Sequence, residues 1–128
     1  MDAQSYLKAV KRELAICLKI RSLEIVDERV ASVSRGYFRA RLALTNDDFL
    51  EVSEYFVCDG NRCSPLKYRY QWMDGSFTRL IKRWDNVNHF PNLPGCPHHV
   101  HVGSEDDVFP SEPLSIIDII RIIEQELE

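Results

Sequence analysis

Apolar positions recur at steps of three to four residues near the start of the chain, where Leu7, Val10, Leu14 and the Cys17/Leu18 pair stand among charged residues. That spacing predicts a helix from Asp2 to Lys19 with one buried face. From Leu23 to Trp84 the period falls to two, as where Phe38, Ala40, Leu42 and Leu44 alternate with Arg39 and Arg41. Successive strand side chains point to opposite faces, so this stretch reads as half-buried strands. Turn chemistry at Ser34-Arg35-Gly36, Thr45-Asn46-Asp47-Asp48, Asp59-Gly60-Asn61 and Asp74-Gly75-Ser76 cuts it into five, roughly 22–33, 36–45, 48–58, 63–73 and 76–85. Connections this short join antiparallel neighbours, because a parallel crossover takes a dozen or more residues.

Beyond the fifth strand, Pro91, Pro94 and Pro97 each fix φ and remove a backbone donor, so 86–97 reads as a stiff irregular loop. It returns the chain to a short strand near His99 to Val102. Ser111 is then expected to cap a last helix, with Glu112 and Pro113 in its first turn and Leu114, Ile117, Ile120 and Leu127 on its apolar side. The isoleucine pairs at 116–117, 119–120 and 122–123 widen that stripe, which would suit deep packing on the sheet or a homodimer through the C-terminal helix. The predicted architecture is α+β: an antiparallel meander sheet of five or six strands flanked by an N-terminal and a C-terminal helix.

Composition adds bounds. At 128 residues, 45% hydrophobic and 28% charged, the chain suits one compact domain over residues 1–128. No apolar run approaches the roughly 20 residues that span a bilayer, and Lys8, Lys11, Arg12 and Glu13 stand where a signal peptide would be apolar, so a cytoplasmic protein without a membrane partner is expected. Residues 104–128 hold eight acids against Arg121, a net −7; with a formal total of −4, residues 1–103 carry +3. A basic body is compatible with a polyanionic substrate. Cys17, Cys58, Cys63 and Cys96 lack C-x-x-C pairing and, in a reducing compartment, read as small buried hydrophobes. Cys58 and Cys63 nevertheless flank Asp59-Gly60-Asn61-Arg62 and could face one another across a hairpin.

All four histidines, His89, His98, His99 and His101, fall within thirteen residues, beside Arg83-Trp84-Asp85-Asn86. Histidine titrates near neutrality and ligates metals, so chemistry is expected here. In an extended segment His99 and His101 share a face and His98 takes the other, as a structural histidine. Arg83 and Arg79, taken as one strand face, could neutralise a phosphorane, and Asp85 could orient an arginine or a histidine. Glu54 shares its face with Leu50, Val52 and Phe56, where a carboxylate is costly unless paired, so it joins the candidate acids. Tyr68 and Tyr70, with His89, Arg39 and Arg41, are candidates for holding bases and phosphates.

The runs S-E-Y at 53–55, Y-x-Y-x-W at 68–72, R-W-D-N at 83–86, His89, P-H-H-x-H-V-G at 97–103 and P-S-E-P-L at 110–114 together resemble the TumE-type toxins of prokaryotic toxin–antitoxin pairs. The chain departs from that pattern at Phe90, where the family carries a second histidine. The resemblance implies a cytosolic growth-inhibiting protein neutralised by a cognate antitoxin. The residues themselves leave three readings open. The first is a metal-independent endoribonuclease with His99 and His101 as acid and base, Arg83 on the phosphate, Asp85 orienting and Glu54 as a further base or anchor. The second is a hydrolase or nuclease that uses a divalent metal such as zinc, with His99, His101 and His89 as ligands. The third is a non-catalytic binding module.

Overall fold

The computed structural model describes residues 1–127. Helix α1 (Ala3–Ile16) leads into seven strands, β1 (Ile20–Ser32), β2 (Arg35–Leu44), β3 (Phe49–Asp59), β4 (Arg62–Met73), β5 (Leu80–Asp85), β6 (His99–Val102) and β7 (Val108–Pro110), and helix α2 (Ile116–Glu126) closes the chain. The strands form one antiparallel sheet in sequence order, so the meander is as expected and has one more strand than predicted. The added strand is β7, three residues long with no alternation to give it away. No helix among the described residues is long and apolar enough to cross a membrane.

Both helices lie on one face of the sheet. Tyr6, Leu7, Val10 and Leu14 of α1 and Ile116, Ile119, Ile120 and Ile123 of α2 meet Phe38, Leu42, Val52, Phe56, Tyr70 and Trp84 in one buried cluster. Ile116, Ile119, Ile120 and Ile123 are thus buried within this chain, and Ile117 and Ile122 are partly buried. The opposite face carries the intervening residues, among them Arg39 and Arg41 on β2, Glu51 and Ser53 on β3, Arg69 and Gln71 on β4, and Arg83 and Asp85 on β5. No helix covers it.

Helix α2 starts at Ile116, five residues after the expected cap at Ser111. Ser115 is the cap: its hydroxyl accepts from the Asp118 N–H at 3.2 Å, and the Asp118 carboxylate accepts from the Ser115 N–H at 2.9 Å. This reciprocal box satisfies the N-terminal donors that Ser111 would have served. Tertiary contacts then fix the start, since the Ile116 N–H donates to Glu54 at 2.8 Å and the Leu114 carbonyl accepts from Tyr70 at 2.9 Å.

Strand β5 also begins later than predicted, because the Asp74 carboxylate accepts from the backbone N–H groups of Thr78 and Arg79 at 2.9 and 3.0 Å and winds 74–79 into a turn. Cys58 and Cys63 are register partners joined by a disulfide, so these two are not the separate buried thiols expected. The Gly60-Asn61 turn brings them opposite one another. Cys17 is buried and free, and Cys96 is free and half-buried.

Glu54 is fully buried on the helix side of the sheet. It accepts from the Tyr6 hydroxyl, from the Tyr70 hydroxyl at 2.7 Å and from the Ile116 N–H, so one carboxylate ties α1, β4 and the start of α2 to β3. Burial, set against those hydrogen bonds, raises its carboxyl above the usual glutamate range. A proton held more tightly in the native state means stability falls as pH rises from about 4.3 through the folded value. Glu54→Ala is expected to cost about 3–5 kcal/mol, because it strands the buried Tyr6 hydroxyl and Ile116 N–H and leaves a cavity where the carboxylate packed, and to flatten that pH slope. Urea unfolding followed from about pH 4 to about pH 8 measures both; a loss under about 1 kcal/mol would remove the tie from the fold.

Candidate active site on the open face of the sheet

The run Arg83-Trp84-Asp85-Asn86 divides its side chains between the two faces of β5. Trp84 enters the core, while Arg83 and Asp85 point to the open face. Asn86 accepts from the Tyr68 N–H at 3.0 Å and donates to the Leu66 carbonyl at 2.9 Å, which clamps the end of β5 to β4. The proline loop then proceeds through hydrogen-bonded turns closed by Leu93 to Phe90, Cys96 to Leu93 and His98 to Gly95. It delivers β6 antiparallel to β5, in a register that sets Asp85 opposite His99 and Arg83 opposite His101.

A cluster of buried polar groups results. Asp85, His99 and His101 are each at most 4% exposed. The Nε2 atom of His99 lies 2.9 Å from Asp85 Oδ1 and that of His101 3.8 Å from Asp85 Oδ2, with the ring centroids 4.9 Å apart. Each ring is held from behind: His99 Nδ1 sits 2.9 Å from the Pro97 carbonyl and His101 Nδ1 2.9 Å from the Glu105 carbonyl. A carbonyl only accepts, so Nδ1 bears the hydrogen in both rings and each Nε2 is turned toward Asp85. Between His99 Nε2 and Asp85 one proton must be shared, because a lone pair facing a carboxylate at 2.9 Å would be repulsive. Asp85 Oδ1 also accepts from the Val87 N–H at 3.0 Å.

Arg83 borders the cluster, with Nε 3.4 Å from Asp85 and both terminal nitrogens on the Glu105 carboxylate. Glu105 raises the Arg83 guanidinium further above its usual range, and Arg83 holds the Glu105 carboxyl below the glutamate range. Only 12% of the Arg83 side chain is exposed, against 65% of Glu105. The Glu105 carboxylate thus covers the half-buried guanidinium from the solvent side. Phe90 stands edge-on to both imidazoles at 5.1 and 6.0 Å. Together with Arg69, Val87 and His89 these groups line a hollow of about 300 Å³.

The structure brings together four of the expected residues, Arg83, Asp85, His99 and His101, and places His89 in the wall of the same hollow. Glu54, Tyr68 and Tyr70 lie on the other face of the sheet. Tyr68 is 2% exposed, its hydroxyl pushed up to about 12 by burial, and Tyr70 is sealed against Glu54 and Leu114. Arg79 falls in the Asp74 turn, and the register break between Met73–Leu80 and Trp72–Lys82 ends any shared face with Arg83. Arg39 and Arg41 are on the open face, on β2. His98 is on the core side, stacked on Tyr68 with Nδ1 2.9 Å from its hydroxyl, and burial, then the neighbouring His99, lowers its pKa.

Asp85, His99 and His101 offer one ligand atom each, all within 4.8 Å of one another, while His89 stays outside that set. Sequence reasoning missed Glu105, which stands in the acidic segment, and Phe90. Arg69 also belongs here, because the pairing Arg69–Asp85–His99 sets that residue beside the cluster.

Fold and site define a small α+β protein: a sheet backed by helices on one side, with a buried His–His–Asp cluster and an arginine on the other. The chain belongs to the family of toxin TumE, whose family model matches residues 8–128. It is thus a toxin-family protein, and membership implies a cognate antitoxin. No curated protein and no solved structure matches it.

The tautomers can be checked directly. Long-range proton–nitrogen correlation spectra of the imidazoles should show Nδ1 protonated in both His99 and His101 near neutral pH. An Nε2–H tautomer at His101 would contradict the anchoring by Glu105.

Proposed function

We propose that the chain is an endoribonuclease toxin whose reaction runs at Arg83, Asp85, His99 and His101. The observation that carries this reading is the pair of imidazoles fixed from behind by backbone carbonyls, with both Nε2 atoms converging on Asp85 beside a guanidinium. His101 Nε2, free of a hydrogen, takes the proton of a ribose 2′-hydroxyl, and that oxygen attacks the adjacent phosphorus. Arg83 neutralises charge gathering on the phosphorane once substrate phosphate displaces the Glu105 carboxylate. The proton shared by His99 and Asp85 passes to the departing 5′-oxygen. The products are a 2′,3′-cyclic phosphate and a 5′-hydroxyl. Glu54, Tyr68, Tyr70 and Arg79 have no part in this scheme.

His101→Ala should lower cleavage of a single-stranded RNA by about 10²–10⁴-fold, the usual contribution of an acid–base group, with the circular dichroism spectrum unchanged. Full cleavage by that variant, or cleavage of an RNA whose 2′-hydroxyls are methylated, would refute the scheme.

A second reading has its own support. Three ligand atoms within 4.8 Å, on imidazoles oriented by carbonyl acceptors, suit a divalent ion that displaces the shared proton and keeps a position for water. Elemental analysis of the purified protein and cleavage in EDTA separate the two. Cleavage that persists in EDTA supports the acid–base scheme, and cleavage lost there and restored by one divalent ion supports the metal.

A further inference from the structure

The hollow at the histidines is one end of a longer depression. Arg69 lines both that hollow and a second of about 310 Å³ walled by Tyr37, Arg39, Glu51 and Ser53. Glu51 and Gln71 in turn line both the second hollow and a third of about 510 Å³. The three form a groove across the open face, crossing from β6 to β1. With neighbouring strands about 4.8 Å apart this is roughly 24 Å, the reach of a short oligonucleotide.

The chemistry changes along the groove in a definite order. At the β6 end are the groups that could act on a phosphodiester. In the middle, the outward positions carry four cations, Arg39, Arg41, Lys67 and Arg69, against two acids, Glu51 on β3 and Glu24 opposite Arg41 on β1. Arg39 is paired with Glu51, its Nε 2.7 Å from Oε1, while Arg41, Lys67 and Arg69 form no ion pair among the described residues. At the far end Phe49 and Phe77 stack with centroids 4.3 Å apart and planes 20° from parallel, and Phe77 is 61% exposed. Leu23, Ala43 and Met73 complete that apolar wall.

Resting on the endoribonuclease reading, we infer that this groove is a binding track for single-stranded RNA: the scissile phosphate sits at Arg83, flanking phosphates at Arg69 and Arg41, and an unpaired base against Phe77. Charge complementarity favours a polyanion over a protein strand on this face. The aromatic end selects the single strand, because a base must be unstacked and unpaired to offer its face to Phe77, and a duplex hides both faces of every base. The Arg39–Glu51 pair, with both side chains more than a third exposed, holds one guanidinium flat on the sheet and leaves the two unpaired arginines to take phosphate. The track adds binding outside the reacting bond, so it sets which RNAs reach the site without entering the proton transfers.

The test uses the full chain carrying His101→Ala, with a short fluorescent single-stranded RNA and fluorescence anisotropy over a salt series. Arg41→Gln with Arg69→Gln should weaken binding about tenfold or more and reduce the slope of log affinity against log salt by about 1.4, or 0.7 for each phosphate contact removed. Phe77→Asn, chosen because Phe77 has φ +58° and asparagine accepts the left-handed region, should weaken binding about fivefold or more and leave the slope unchanged. A duplex of the same sequence should bind more weakly than the single strand. Circular dichroism confirms that these surface variants fold.

An unchanged slope in the double arginine variant, no loss with Phe77→Asn, equal affinity for duplex, or no RNA binding at all would each overturn the track. The two proposals fail separately. A chain that cleaves RNA while its double arginine variant binds as tightly as the parent loses the track and keeps the catalytic scheme. One that binds through the groove while His101→Ala still cleaves does the reverse.

Discussion

The antiparallel register between β5 and β6 is the constraint on which the site depends. Four residue pairs hold it, Lys82–Val102, Arg83–His101, Trp84–Val100 and Asp85–His99. A slip of one residue would send both imidazoles to the core side and bring Val100 to the polar face. Trp84 buried among the isoleucines of α2, and Lys82 bonded to Glu126 at 2.7 Å, pin one side of this pairing. Asn86 pins the other by clamping the strand end to β4. The Asp85–His99–His101 cluster is therefore located by contacts made mostly behind the sheet, and the stiff proline loop has only to close the return.

Two kinds of buried charge divide the labour. Glu54 receives three donors from three elements and has no opening to solvent, which makes it an organiser of the helix layer. Asp85 is as deeply buried, yet its partners are two imidazoles, an arginine and one backbone N–H, grouped beside a hollow. What distinguishes the two is the company: hydroxyls and an amide around Glu54, titratable rings and a guanidinium around Asp85.

The two faces of the sheet also explain why the toxin can be small. One face is spent wholly on the core, so helices on a single side are enough to fold it. The other is free to carry a continuous polar surface from β2 to β6 with no cost to packing, because alternation keeps its arginines away from the interior. Glu105 bridges the two strands' side chains: its carbonyl anchors His101 and its carboxylate pairs with the half-buried Arg83.

Much of this was legible in the residues alone, because side-chain period, turn chemistry and proline are local. They gave two helices, six of the seven strands, the stiff return loop and the opposed directions of His98 and His99. Local reasoning failed where contacts distant in sequence decide. Ser111 read as the cap from its neighbours, but Glu54 and Tyr70 fix the turn before Ile116 and make Ser115 the cap. Glu54 and Tyr70 shared residue types with active sites, but only packing shows that they face the helices. Arg79 lost its place through a register break that no pattern announces. The sequence by itself determined which residues alternate and therefore which could share a face, since that follows from the pleat. The tertiary structure alone decided which of the two faces the helices cover, and so which polar residues meet in a hollow and which are sealed in the core.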